Sequence, residues 1–228
     1  MAPRAIISYD DTQTDHDALM LGRILGDAGA TLMLAYVRHA IDAQPDREQL
    51  AHHEAEALLE RGALWLDEPH IDRRLVVSPS TAEGLGWLAT QVEADLIVFG
   101  SDYRTRNGYV AIGHSAQTLL ENGPTSLALA PANYATNRDR EVQTIGVLAG
   151  SADEAAIETA FSLAGRLGAK VTDGNRGVDL LVVGSRPEAH EGRVMITSRA
   201  EIAIEETNSP VIVVARGVPL NFETLVTI

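Results

Sequence analysis

The 228-residue sequence predicts an α/β protein built from two tandem doubly wound parallel-sheet domains, the second truncated. Three observations carry this. Short apolar runs alternate with segments of helical period, the pattern of parallel strands joined by right-handed helical crossovers. After a polar stretch the chain repeats itself. The repeat lacks a central block, so its sheet is smaller.

The elements follow in order. The run AIISY, Ala5 to Tyr9, is a strand that stops at Asp10, Asp11 and Thr12. Asp15 to Ala28 has its apolar residues at helical spacing, and Asp10, Asp11, Asp15 and Asp17 sit at or near the first turn, where the helix dipole favours negative charge. Gly29 ends that helix, and TLMLAYV, Thr31 to Val37, is the second strand. Asp46 to Leu66, rich in Ala, Leu and Glu, is a second helix. Leu75 to Val77 is a third strand, and Ser80 with Glu83 opens a helix over Ala82 to Val92 as a capping box. The unbroken run LIVF within Asp95 to Phe99 suits a strand covered on both faces. A polar loop, a helix opened by Gly113 and a short strand, Ser126 to Ala130, complete the first unit.

Ala132 to Glu141 is polar and aperiodic and reads as a linker. Beyond it, Ile6 to Leu32 aligns without gaps to Ile145 to Val171, an offset of 139, and Asp95 to Ala130 aligns to Asp179 to Val214, an offset of 84. DLIVFGS becomes DLLVVGS, and Gly113-His114 becomes Thr197-Ser198. What the second copy lacks is most of Met33 to Ala94, which carries the second helix, third strand and third helix. The expected boundaries are 1–134, 141–217 and a tail, 218–228, whose apolar residues need a place to dock.

Asp95 to Pro131 organises the chain and carries its closest family likeness. Gly100, two residues, Tyr103, nine residues, Gly113, His114 and Ser115 keep the spacing of the nucleotide loop of universal stress proteins (UspA-like), whose pattern is Gly, two residues, Gly, nine residues, Gly, then Ser or Thr. Tyr103 replaces the second glycine, and His114 stands where Ser or Thr is usual. The sequence thus resembles that family over nearly its whole length, as two adenine nucleotide alpha hydrolase-like domains. The resemblance implies an ATP or related adenine-nucleotide site in the first domain, with Asp10 meeting the nucleoside, Val37 offering backbone to adenine, and Gly100, Tyr103, Gly113, His114 and Ser115 forming the phosphate loop. Chemically, a carboxylate accepts from ribose hydroxyls and N–H groups at a helix start hold phosphate. Gly100 would let backbone approach the ligand. Arg104 and Arg106 offer charge near the loop.

The residues alone support a second reading. Tyr103 puts a ring where the loop should meet phosphate, Asp102 adds repulsion, and Asp10 and Gly113 also serve ordinary helix starts. That leaves a nucleotide-free scaffold that recognises a protein partner. A slow ATPase would need Asp10 or Asp11 as its base; no catalytic set is recognisable. The second domain, with Ala149 and Pro187 in place of Asp10 and Tyr103 and a capping box at Ser151 and Glu154, is expected to bind no nucleotide. His52, His53 and Glu56 share a predicted helix, where His52 and Glu56, four apart, could share a metal, but no third ligand is evident and none is expected to bind.

Composition narrows the classes. The net charge of −14 argues against nucleic acid or an anionic membrane as partner. Lys170 is the sole lysine, which excludes an ordinary P-loop in the first 140 residues. Zero cysteines, and an N-terminus without a basic-then-apolar pattern, fit a cytoplasmic protein. The closing strands of the two domains, Ser126 to Ala130 and Pro210 to Ala215, would leave exposed edges unless covered. The family pairs this strand across a two-fold axis, so the resemblance implies an intrachain pseudo-dimer, alone or within a homodimer.

Overall fold

The computed structural model describes residues 2–39, 45–148 and 154–222. The strands are β1 (Arg4–Ser8), β2 (Thr31–Arg38), β3 (Asp72–Val77), β4 (Leu96–Gly100), β5 (Ser126–Ala130), β6 (Thr144–Val147), β7 (Lys170–Asp173), β8 (Leu180–Gly184) and β9 (Val211–Val214). The helices are α1 (Gln13–Asp27), α2 (Pro45–Trp65), α3 (Thr81–Gln91), α4 (His114–Asn122), α5 (Glu154–Leu167) and α6 (Ser198–Glu206). The strands form one sheet of order β3-β2-β1-β4-β5-β9-β8-β6-β7. Every neighbouring pair is parallel except β5 and β9, which run antiparallel with Leu127 opposite Val213, Ala128 opposite Ile212 and Leu129 opposite Val211. The order β2-β1-β4-β5 in the first half is matched by β7-β6-β8-β9 in the second.

Both faces of the sheet are covered, which is why its central strands read as unbroken apolar runs. Leu96 and Val98 point into a core built with α1, α2 and α5, while Ile97 and Phe99 point into one built with α3, α4 and α6. The second half alternates alike: Leu180 and Val182 join the first core, Leu181 and Val183 the second. Each core runs across the β5–β9 seam. Ser126 strengthens the seam, its buried hydroxyl oxygen accepting from the Ala215 N–H at 3.0 Å.

The loops after β4 and β8 match in their serine and backbone hydrogen bonds. Ser101 donates to the Ala130 carbonyl at 2.7 Å and accepts from the Ala111 N–H; Ser185 does the same to Val214, at 2.7 Å, and Met195. Gly108 N–H reaches the Ala132 carbonyl as Gly192 N–H reaches that of Arg216. The first strand departs from the gapless alignment. Arg4 pairs with Thr31 and Thr144 with Lys170, so β1 maps onto β6 at an offset of 140 while β2 maps onto β7 at 139. Strand pleating explains the slip. Ala5 and Ile7 face the first core, as do Ile145 and Val147, and a register shifted by one would turn both away.

The linker is a clasp. The Asp17 carboxylate, 2% exposed, accepts from the N–H groups of Asn133 and Ala135, both at 2.8 Å. Asn133 takes a left-handed conformation (φ 63°) that opens a 3-10 turn, Tyr134–Thr136, and Tyr134 is buried. Asp17 therefore holds the linker rather than serving the helix dipole. Arg138 lies 4.1 Å above the Trp65 ring. The tail docks along α5: Leu220 N–H reaches the Thr159 hydroxyl at 2.9 Å, Phe222 N–H reaches that of Ser162 at 2.8 Å, and both side chains are buried in the first core. Arg166 of α5 donates to the Ala28 carbonyl at the end of α1, 2.9 Å away, tying the halves together. Residues 223–228, Ala149 and Ser151 lie outside the described residues.

Asp17→Ala leaves two buried N–H groups unpaired, and its expected cost is about 2–4 kcal/mol in urea unfolding; a loss under about 0.5 kcal/mol contradicts the clasp. The Tyr134 hydroxyl is buried without a partner. Burial raises its pKa from 10.0 to about 12, Arg140 opposing and Asp179 assisting. The folded phenol keeps its proton at pH values where the unfolded one has lost it. Stability therefore falls as pH rises from about 10 to 12, by about 2–3 kcal/mol from this group. Unfolding titrations of Tyr134→Phe should show a smaller alkaline loss and, at pH 7, stability within about 1 kcal/mol of the parent.

Candidate functional site

Strand order reverses beside β1, which pairs with β2 on one side and β4 on the other. In an open parallel sheet the crevice beyond the carboxyl ends of such strands is where a ligand fits. Asp10 follows β1, Val37 lies near the end of β2, and Gly100 ends β4. The loop bearing Tyr103 leads to Gly113, His114 and Ser115 at the start of α4. The topology thus brings the seven sequence-derived candidates to one end of the first half.

Backbone parity sets what Val37 offers. Tyr9 N–H binds the Ala35 carbonyl at 2.9 Å, so residue 35 faces β1; Ser78 N–H binds the Arg38 carbonyl at 3.1 Å, so residue 38 faces β3. Alternation then turns the N–H and C=O of Val37 toward β1, past its last paired residue, Ser8. Its side chain is buried against Gly84 of α3. The backbone edge of Val37 is therefore directed past the end of β1, a donor and an acceptor side by side.

The start of α4 is open. Its N-cap, Gly113, has no side chain to cap the first turn, and a Cβ built there meets nothing within 4 Å. The N–H groups of His114, Ser115 and Ala116 thus lack a side-chain cap, leaving donors and a positive dipole end for an anion. His114 is exposed and Ser115 half-buried. The start of α6 differs: Thr197 caps it, its hydroxyl oxygen accepting from the Ala200 N–H at 3.1 Å. Both helices belong to equivalent loops, and one residue separates an open helix start from a closed one.

Two candidates have surroundings unlike those expected. A Cβ on Gly100 would stand 2.0 Å from the Thr14 carbonyl oxygen. The glycine therefore admits the first turn of α1, and that turn, not a ligand, covers the end of β4. Tyr103 is 71% exposed, with Arg104 stacked 5.0 Å from its ring. Its ring stands in solvent instead of filling the crevice.

Asp10 is flanked by acids. Burial raises its pKa, the carboxylates of Asp15 and Asp11 add to this, and His39 opposes. Asp11 is held below the usual carboxylate range by the Tyr9 hydroxyl, which donates to it at 2.7 Å, and by Arg61, also at 2.7 Å. Asp15 is the residue that sequence reasoning undervalued. Its Oδ2 accepts from Asp10 N–H at 3.0 Å, Thr12 N–H at 2.9 Å and the Thr12 hydroxyl at 2.7 Å. Thr12 and Asp15, three apart before an apolar run, are the sequence signal for it. Ser101 was also legible, as the serine repeated after Gly100 and Gly184.

Elsewhere, a cavity of about 600 Å³ lies between the halves, lined in part by Asp27, Arg140, Glu141 and Lys170, and thus near the strands' amino ends. His52 and Glu56 form an exposed pair at 3.4 Å, and no group of three acids or histidines among the described residues could hold a metal ion. No helix among them is long and apolar enough to cross a membrane.

No protein-family model matches the sequence, and no curated protein matches it. Solved structures do. A universal stress protein from Archaeoglobus fulgidus DSM 4304 superposes with a TM-score of 0.58 at 12% identity, over 94% of this chain and 98% of that one. A protein of unknown function from Pseudomonas aeruginosa PAO1 superposes with a TM-score of 0.61 at 13% identity, over 94% and 93%. The chain has the universal stress protein fold.

The two glycines separate in a substitution test. Gly100→Ala forces backbone apart and is expected to cost about 3 kcal/mol or more in chemical unfolding. Gly113→Ala should stay within about 1 kcal/mol of the parent while weakening any ligand seated on the start of α4. Equal stability of the two variants contradicts this assignment.

Proposed function

We propose that the chain is a two-part universal stress protein acting as a regulatory or sensing module, with an adenine nucleotide, ATP or a relative, held by its first half. The observation that carries this reading is the asymmetry of the helix starts: α4 is uncapped, whereas Thr197 closes α6. Asp10 accepts from ribose hydroxyls, Val37 pairs with the adenine edge, and the N–H groups at Gly113, His114 and Ser115 meet phosphate. The Tyr103 ring stands in solvent and leaves the crevice unfilled. The second half completes the sheet and binds no nucleotide. The units 1–134 and 141–217 are two copies of one ancestral sheet, followed by the tail 218–228, of which Leu220 and Phe222 fasten to α5 of the second copy. The module works in the cytoplasm and recognises neither nucleic acid nor membrane.

A scaffold that recognises a protein partner without any nucleotide is the second reading. Thr14 over Gly100 favours it, because the chain itself fills part of the space a ligand would use.

Titration calorimetry of the full chain with ATP and AMP decides between them. Saturable binding with Kd below about 1 mM, weakened in Gly113→Ala, is the expected result. No heat with either nucleotide at millimolar concentration leaves the scaffold.

A further inference from the structure

The trimmed second half leaves α5 without the cover that its counterpart has. In the first half α2 lies beside α1, and its Leu59, Ala63 and Leu66 share a core with Ala18, Leu19 and Met20. Ile157, Phe161 and Gly165 of α5 align with Ala18, Gly22 and Gly26 of α1, at the offset of 139. Ala18 and Gly22 are buried, whereas Ile157 is 44% exposed and Phe161 62%. Spaced four apart, Ile157, Phe161 and Gly165 form one ridge along α5. Single exposed apolar residues are ordinary, but two on one ridge whose counterparts are buried mark an interaction surface.

Gly165 is a separate observation. At Gly26 a Cβ would stand 3.0 Å from the Leu32 side chain, so that glycine makes room for a neighbour; at Gly165 a Cβ meets nothing within 4 Å. Glycine inside a helix costs stability relative to alanine, and no contact within the chain asks for it here.

The ridge is complementary to itself in the reversed direction. With Phe161 on a two-fold axis, position 157 of one copy faces position 165 of the other, so Ile157 lies over the bare backbone of Gly165. The same reversal carries Glu154 and Glu158, at the start of α5, toward the end that bears Arg166 and Lys170. It also sets the two helix dipoles head to tail. A parallel pairing would put glycine against glycine and acid against acid.

We propose that a second copy of this chain docks on the α5 ridge in that antiparallel, two-fold arrangement, supplying the helix that the trimmed half lacks. The contact is distinct from the β5–β9 seam, which is used up within each chain.

Sedimentation equilibrium of the full chain tests it. The parent is expected to shift toward twice its 24.4 kDa mass as its concentration rises to about 100 µM. Phe161→Asp and Gly165→Leu should each weaken the association at least about tenfold, Gly165→Leu without loss of monomer stability in urea unfolding. The chain has no cysteine, so Phe161→Cys supplies a single thiol on the proposed axis. Mild oxidation should trap that variant as a disulfide-linked dimer, whereas Ile202→Cys, similarly exposed on α6, should stay unlinked. A parent that remains monomeric throughout overturns the proposal. So does a dimer whose strength ignores both ridge substitutions, or one that Ile202→Cys traps as readily as Phe161→Cys.

Discussion

Three residue pairs, Leu127–Val213, Ala128–Ile212 and Leu129–Val211, hold the molecule together as one sheet. Without them β5 and β9 would each present a buried-type apolar strand with an open edge, a template for aggregation. With them, Ala128, Ala130, Ile212 and Val214 become the middle of one core and Leu127, Leu129, Val211 and Val213 the middle of the other. Among the described residues the second half has four strands and two helices, too little to bury a core of its own size. Its stability is borrowed across the seam, through the Arg166 bond to Ala28 and through the linker that Asp17 clasps.

The same scaffold is used twice with different consequences. Ser101 and Ser185 anchor equivalent loops with the same pair of hydrogen bonds, so loop shape does not distinguish the halves. What distinguishes them is local chemistry at the end of each loop. Gly113 leaves helix donors open where Thr197 consumes one, and Asp102 stands where the other half has Arg186. Such differences cost the fold little because they lie beyond the strands, where no core residue depends on them.

The β1–α1 connection shows how a chain can fill a space it also needs. Thr14 closes over Gly100, and Asp15 satisfies the N–H groups of Asp10 and Thr12. Both contacts fasten the start of α1 onto the ends of β1 and β4. They also narrow what a ligand can be, since space and donors at that end of the crevice are taken. The scaffold and ligand-binding readings differ only in how much of the crevice this leaves.

The sequence by itself determined the strands and their alternation with helices, and its self-alignment pointed to the matched strand orders β2-β1-β4-β5 and β7-β6-β8-β9, because periodicity and self-similarity are local signals that a buried two-faced sheet imposes directly. The seven candidates were named by a spacing that resembles the family's nucleotide loop, while glycine and acid marked the strand ends and helix starts near which they lie. Tertiary structure decided the rest. The one-residue slip of β6 follows from which face Ile145 and Val147 must present, a property of the assembled sheet. The contact of Thr14 with Gly100 joins residues 86 positions apart, and the Asp17 clasp on Asn133 joins residues 116 apart. No local pattern encodes such pairs, because each exists only once the strands between them have been stacked in order.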